Sequence, residues 1–379
     1  MKKNISLELS NGLHLRGTHI GSPIKTSGEL VFTTAMVGYS EALSDPSYFG
    51  QVLVFAYPLI GNYGVPKAPD RKKFDLNLTE QFESQKIYLS ALIISQECEE
   101  AFHWTSAGNL DSWLKSHNIP GISGVDTRHL ITEIRNHKQL FAKIIPDAAT
   151  EVKYIESMNT FEAGQFFDPN QYEVTKEVSI KERKVLGKGK FRVAVYDYGV
   201  KWNILRQIIK KGCEVELLPW DTDPGSVDCH GWILSNGPGN PHFNKKPIEH
   251  IQKIISEQEK PLLAICLGHQ LLSIAGGAKV EKMQYGHRSH NQPVKVVGEK
   301  RGFITSQNHS YVVKAEDLPE DWEVWFSNIN DNTVEGIRHK AKPFRSVQFH
   351  PESSGGPRDT SWIINDFVKE VKDSASISS

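Results

Sequence analysis

A chain of 379 residues is long enough for two domains, or three small ones. Charged residues make up 23%, and 44 Lys and Arg against 45 Asp and Glu leave a net charge of −1, which argues against a protein that coats nucleic acid. The longest apolar run, 52–60, falls far short of the ~20 residues a membrane helix needs, and Pro58 interrupts it.

The N-terminus alternates Ile5, Leu7, Leu9 after two lysines, a strand pattern and not the apolar centre of a signal peptide. Segments 30–32 and 51–55 are rich in β-formers and read as strands, separated by a polar connection over 38–48 with a break at Pro46. Segment 87–95 reads as a buried strand. Helices are expected over 109–117, with Leu110, Trp113 and Leu114 on one face, and over 126–135, with Asp126 as N-cap and Leu130, Ile131 and Ile134 inward. Residues 1–150 thus read as a mixed α/β domain and 151–190, charged and turn-rich, as a linker.

From residue 191 the rhythm becomes strand-helix-strand: strands at 191–198, 214–218, 231–234 and 262–265, and helices at 202–211, 248–259 and 267–274. A final strand is expected at 344–349, and a Ser-rich tail at 373–379. Alternating β and α elements over 191–379 predict a parallel sheet covered by helices on both faces. Four cysteines, Cys98, Cys213, Cys229 and Cys266, are widely spaced, with no C-x-x-C, which points to free thiols in a cytoplasmic protein.

Three segments carry chemistry. In Leu262-Leu263-Ala264-Ile265-Cys266-Leu267-Gly268-His269-Gln270 an apolar strand runs into Cys266 and a helix starts at once, with small residues two places to either side. That is the pattern of a nucleophile elbow, which pushes one side chain clear of the sheet. The N–H groups of the new helix favour a thiolate and can hold a developing oxyanion. A plain core cysteine is the alternative for this segment alone. In Ser346-Val347-Gln348-Phe349-His350-Pro351-Glu352 a strand ends at a histidine, and a carboxylate follows at i+2 on the same side. Glu352 can orient the imidazole of His350, which can take the proton from Cys266. Alone, the tripeptide is equally a surface turn. Segment Ser235-Asn236-Gly237-Pro238-Gly239-Asn240-Pro241 ends a strand in a loop dense in Gly and Pro. Such a loop fixes backbone N–H groups for a substrate, or is simply a tight turn.

Together and in this order, the three segments resemble the class I (triad) glutamine amidotransferase domain. The N-terminal half resembles the small, glutamine-hydrolysing subunit family of carbamoyl phosphate synthetase. The segments that carry this are Gly28-Glu29-Leu30-Val31-Phe32, Met36-Val37-Gly38-Tyr39, Ser44-Asp45-Pro46-Ser47-Tyr48, Tyr57-Pro58-Leu59-Ile60-Gly61-Asn62-Tyr63-Gly64, Gly124-Val125-Asp126-Thr127-Arg128, Tyr196-Asp197-Tyr198-Gly199-Val200-Lys201 and Thr305-Ser306-Gln307-Asn308-His309. The resemblance implies a flavodoxin-like doubly wound C-terminal domain beside a smaller N-terminal α/β domain. It implies Cys266 as nucleophile, His350 as base and Glu352 as its orienter. Gly239 and Leu267 align with the oxyanion-hole backbone, and Ser47, Gly237, Gln270, Asn308, Ser310 and Tyr311 with positions that hold glutamine. Ala264 and Ser310 stand where the family usually has glycine, and Trp202 where it usually has arginine. At Ser310 a glycine-like backbone with positive φ would cost energy.

Neither G-x-x-x-x-G-K-[ST] nor G-x-G-x-x-G occurs, so no ATP site of those types is expected. ATP-driven synthesis is expected on a partner, the large synthetase subunit, with no cofactor on this chain. His287 and His290 lack further ligands for a zinc pattern, no metal is expected, and Arg71-Lys72-Lys73 reads as solvated surface. Two rivals stand beside this reading: the glutaminase of another biosynthetic enzyme, and an idle scaffold that only binds the partner.

Overall fold

Two large sheets organise the described residues, beside a small parallel pairing of Leu59–Ile60 with Gln96–Glu97. The computed structural model describes residues 4–67, 80–147, 151–152 and 165–377. Arg71-Lys72-Lys73 and residues 153–164 of the expected linker lie outside them. The chain divides into Met1–Tyr172 and Glu173–Ser379, a division that falls inside the stretch read as a linker.

In the first unit, eight strands run in the order Glu151–Val152, Ile24–Thr33, Gln51–Phe55, Ala91–Ile94, Pro120–Ser123, His14–Gly21, Asn4–Leu9 and Phe141–Pro146. The last also pairs with Ile24–Thr33, so the sheet closes on itself. Both expected helices are present, as Leu110–Ser116 and Thr127–Asn136. Their N-caps satisfy otherwise orphaned N–H groups: Asn109 Oδ1 accepts from Ser112 N (2.8 Å) and Asp126 Oδ1 from His129 N (2.9 Å). The connection over 38–48 is more ordered than its polarity suggested. It folds into the helix Tyr39–Ser44 and the 3-10 turn Pro46–Tyr48, with Asp45 Oδ1 accepting from Ser47 N at 2.8 Å.

In the second unit, the parallel strands lie in the spatial order Cys213–Pro219, Phe191–Asp197, Gly231–Leu234, Leu262–Ile265 and Phe344–Val347. Numbered along the chain, that is 2-1-3-4-5, the flavodoxin-like doubly wound order. Leu262, Leu263, Ala264 and Ile265 are all fully buried, as a strand covered on both faces requires. Antiparallel strands Val334–His339, Trp322–Asn328, Val280–Val296 and Gly302–Val313 extend the sheet beyond Phe344–Val347, and Lys184–Leu186 pairs antiparallel with Cys213–Pro219 at the other edge. Helices Trp202–Lys210, Lys245–Glu257 and Leu267–Ala275 match expectation to within a few residues. The helix Trp362–Ile377 was not anticipated. Its serines read as a tail, yet Ile363, Ile364, Phe367, Val368 and Val371 form a buried stripe at helical spacing.

The parallel order places the carboxyl ends of three neighbouring strands side by side, at Leu234, Ile265 and Val347. In open α/β sheets that is where ligands bind. Close backbone packing there depends on Gly268, whose added Cβ would stand 2.2 Å from the Leu234 carbonyl oxygen. Gly268→Ala should therefore lower stability by about 2 kcal/mol or more, read as a lower urea midpoint at unchanged m-value; an unchanged midpoint would contradict this packing.

Candidate functional site

Cys266 sits between the strand Leu262–Ile265 and the helix Leu267–Ala275, as the helix N-cap, with φ 54° and ψ −104°. A non-glycine residue tolerates such a backbone only where its surroundings impose it. Here they do: Cys266 N donates to Val347 O (2.9 Å), Gly268 N to Ser235 O (3.0 Å) and Gln270 N to Cys266 O (3.1 Å). The elbow is thus tied to the strand on either side. Its side chain is 3% exposed, and the sulfur faces the Asn308 carbonyl at 3.7 Å.

His350 and Glu352 follow the neighbouring strand and are both buried. His350 Nδ1 lies 2.7 Å from Glu352 Oε1, and His350 N donates to Ser306 O at 3.0 Å. The other ring nitrogen is left for Cys266. Burial and the Lys201 ammonium both work against a charge on His350, but the Glu352 carboxylate and the Cys266 sulfur outweigh them and raise its pKa. Burial disfavours the Glu352 carboxylate, yet His350 and Lys201 hold its pKa below the ordinary range. The favoured state is an imidazolium against a carboxylate.

Sequence reasoning missed the groups that hold Glu352. Lys201 Nζ lies 3.4 Å from Glu352 Oε1. Asn203 Nδ2 and Gln207 Nε2, from the helix Trp202–Lys210, donate to the Glu352 carbonyl, the latter at 2.9 Å. The signal was there: Lys201 closes the family-like segment that begins at Tyr196, and Asn203 and Gln207 lie one helical turn apart. His290 was also missed as a neighbour of the triad. Burial, with Lys201 and His350, pushes its pKa down to about 4, so it is neutral.

The Gly-Pro loop is set by close approach. A Cβ on Gly237 would stand 2.0 Å from Tyr198 O and 2.9 Å from Leu267 Cδ2, and Gly239 has φ +88°. The loop is held through Asn236, whose Nδ2 donates to Gly199 O (2.9 Å) and whose Oδ1 accepts from Lys201 N (3.0 Å). Gln270 Nε2 donates to Tyr311 O (3.3 Å) and Gln348 Oε1 (3.0 Å). Asn308, Ser310 and Tyr311 lie on the strand Gly302–Val313. The strain considered for Ser310 is absent: among described residues, positive φ outside glycine occurs at Asn118, Cys266 and Asn332. Ser310 Oγ accepts from Arg288 Nη2. Ser47 belongs to the N-terminal unit. Trp202 is buried, with the Arg206 guanidinium 5.9 Å from its ring centre.

His287, His309 and Glu335 bring atoms that could ligate a metal within 4.8 Å of one another. The ring nitrogens of both histidines are already engaged in hydrogen bonds. His287 Nε2 lies 2.9 Å from Asp331 Oδ2, and its Nδ1 is 2.9 Å from Gln307 Oε1 and 3.2 Å from Glu335 Oε1. Burial opposes a charge on His287, but Glu335 and Asp331 together raise its pKa.

Residues 194–370 match the family model "Glutamine amidotransferase class-I", and residues 7–144 match "Carbamoyl-phosphate synthase small chain, CPSase domain". A carbamoyl phosphate synthase arginine-specific small chain from Neosartorya fischeri is 39% identical over 368 residues, covering 96% of this chain and 79% of that one. This chain belongs to the carbamoyl phosphate synthase small-chain family. Multifunctional protein CAD of Squalus acanthias is 44% identical over 97% of this chain, which spans 16% of that protein's length. Among solved structures, a glutamine amidotransferase from Thermotoga maritima aligns at 20% identity and TM-score 0.36, over 48% of this chain and 84% of that one. The small-chain family thus accounts for both units, and the class I amidotransferase domain is the one that carries Cys266, His350 and Glu352. No helix among the described residues is long and apolar enough to cross a membrane.

The coupling of His350 to Glu352 is testable by NMR. In the wild type, the His350 ring should keep its proton well above the ~6.5 of an ordinary histidine. Stability from this pairing is then fully present below that value and is lost as pH rises through the raised one. Glu352→Gln removes a raising charge, so the His350 titration should move to lower pH. An unmoved titration would contradict the assignment.

Proposed function

We propose that this chain is the glutaminase component of a glutamine-dependent carbamoyl phosphate synthetase. The observation that carries the reading is the buried Cys266–His350–Glu352 constellation at the carboxyl ends of adjacent parallel strands, with His350 Nδ1 2.7 Å from Glu352 Oε1. Glutamine binds against Gly237, Gln270, Asn308, Ser310 and Tyr311. The Cys266 thiolate attacks the side-chain amide carbon, and the Gly239 and Leu267 N–H groups stabilise the oxyanion. The His350 imidazolium protonates the departing nitrogen. Ammonia leaves a γ-glutamyl thioester, which a water activated by the now neutral His350 hydrolyses to glutamate. No cofactor is needed for these steps.

The ammonia goes to the large synthetase subunit, where ATP is consumed to make carbamoyl phosphate for arginine or pyrimidine synthesis. The names of the small chain from Neosartorya fischeri and of its multifunctional relatives support this destination. The reactive species is free ammonia, the minor form at neutral pH, so an enclosed route between the two active sites preserves it. The N-terminal unit is the docking element. Phe102 and Trp104, 86% and 90% exposed, offer apolar surface for it. Docking raises glutaminase activity by favouring the competent state of the site. The intact triad speaks against an idle scaffold, and the N-terminal CPSase domain against another biosynthetic enzyme.

Cys266→Ser in the holoenzyme should cut glutamine-dependent synthesis by at least about a thousandfold while synthesis from added ammonia survives. Retained glutamine use would end the proposal. With amide-labelled glutamine and excess unlabelled ammonium, the carbamoyl nitrogen should carry the label nearly undiluted. Dilution in proportion to the free pool would contradict an enclosed route.

A further inference from the structure

Behind the residues expected to hold glutamine, the hydrogen bonds form a closed ring. His287 Nδ1 faces Gln307 Oε1 (2.9 Å), which faces His309 Nε2 (3.0 Å). His309 Nδ1 faces Tyr311 O (2.9 Å), which also accepts from Gln270 Nε2 (3.3 Å). Gln270 Nε2 reaches Gln348 Oε1 (3.0 Å), and Gln348 N donates to Glu335 O (2.8 Å). Glu335 Oε1 returns to His287 Nδ1 at 3.2 Å. The ring therefore joins four strands, Val280–Val296, Gly302–Val313, Val334–His339 and the one that leads to His350, and the helix Leu267–Ala275. Gln307, His309, Glu335 and Gln348 are each at most 5% exposed.

One member is anchored from outside. His287 Nε2 lies 2.9 Å from Asp331 Oδ2, whose side chain is 42% exposed. Asp331 is itself fixed, accepting from Thr333 N (3.1 Å) and Thr333 Oγ1 (2.8 Å). Glu335 Oε1 is held by Asn328 Nδ2 at 3.0 Å. A histidine that donates to a carboxylate from each ring nitrogen has its orientation set twice over. Its Nδ1–H is shared between Glu335 Oε1 and Gln307 Oε1, which places Gln307 against His309 and His309 against the Tyr311 carbonyl.

We propose that His287, gripped between Asp331 and Glu335, is a positioning residue for glutamine. It locks the ring that sets the Tyr311 carbonyl and the Gln270 side chain, and so determines substrate affinity without touching the reacting atoms. The inference rests on the glutaminase reading and adds to it the residues that tune the pocket. A group acting only on ground-state placement changes KM and leaves kcat standing.

The test measures kcat and KM for glutamine in the holoenzyme. Glu335→Gln leaves His287 gripped on one side and should raise KM about tenfold, the range expected for a hydrogen bond to a charged group, with kcat within about twofold. Asp331→Asn, at the exposed end where folding is not at risk, should raise KM about threefold, and Asp331→Glu should restore it. The rate of Cys266 alkylation should be unchanged in all three. An unmoved KM in Asp331→Asn would overturn the proposal. So would a fall in kcat alone, or a stoichiometric divalent metal in the purified wild type, which would make the cluster a metal site. Wild-type holoenzyme that fails to use glutamine at all would count first against the glutaminase reading.

Discussion

The arrangement depends on one strained backbone. Cys266 holds φ 54° because Val347 O and Ser235 O, on the segments either side of it, accept the N–H groups of Cys266 and Gly268. An L-residue in that region costs of order 1–3 kcal/mol, and the cost is met by the surrounding sheet. The turn cannot relax without breaking hydrogen bonds to both neighbours. The same bonds set the relative height of the Gly-Pro loop, the sulfur and the His350 strand, so geometry that looks local is a property of three strands.

Electrostatics then divide the labour. Glu352 is fully buried and would be costly as an isolated charge. Its partners, His350 at 2.7 Å and Lys201 at 3.4 Å, make it the fixed negative centre of the site. Lys201 acts in both directions: it stabilises the carboxylate and opposes the charge on His350. The ring therefore keeps its proton because of Glu352 and Cys266 jointly, and a change at either alters what the histidine can give or take. The neutral His290 beside it adds no competing cation.

Much of this was legible in the residues. The strand-helix alternation after residue 191 gave a parallel sheet covered by helices on both faces, and the flanks of Cys266 gave the elbow, because both follow from local pattern. The i, i+2 relation of His350 to Glu352 gave a contact that needs only an extended backbone. What stayed hidden depends on long-range register. Lys201, Asn203 and Gln207 meet Glu352 across about 150 residues, and no spacing rule reports that. The Asp331–His287–Glu335 grip needs three antiparallel strands in their observed pairing. Trp362–Ile377 was obscured by its serines, although its buried stripe has the helical period. Closure of the N-terminal sheet through Phe141–Pro146 also has no local signature.

In the proposed reaction Cys266 becomes covalently acylated during turnover. Acid quenching of the holoenzyme while it is using glutamine, followed by peptide mass spectrometry, tests it directly. The expected result is an adduct of one glutamyl group on the peptide that contains Cys266, absent when glutamate replaces glutamine. Full turnover with no adduct on that peptide, or an adduct on Cys98, Cys213 or Cys229, would contradict it.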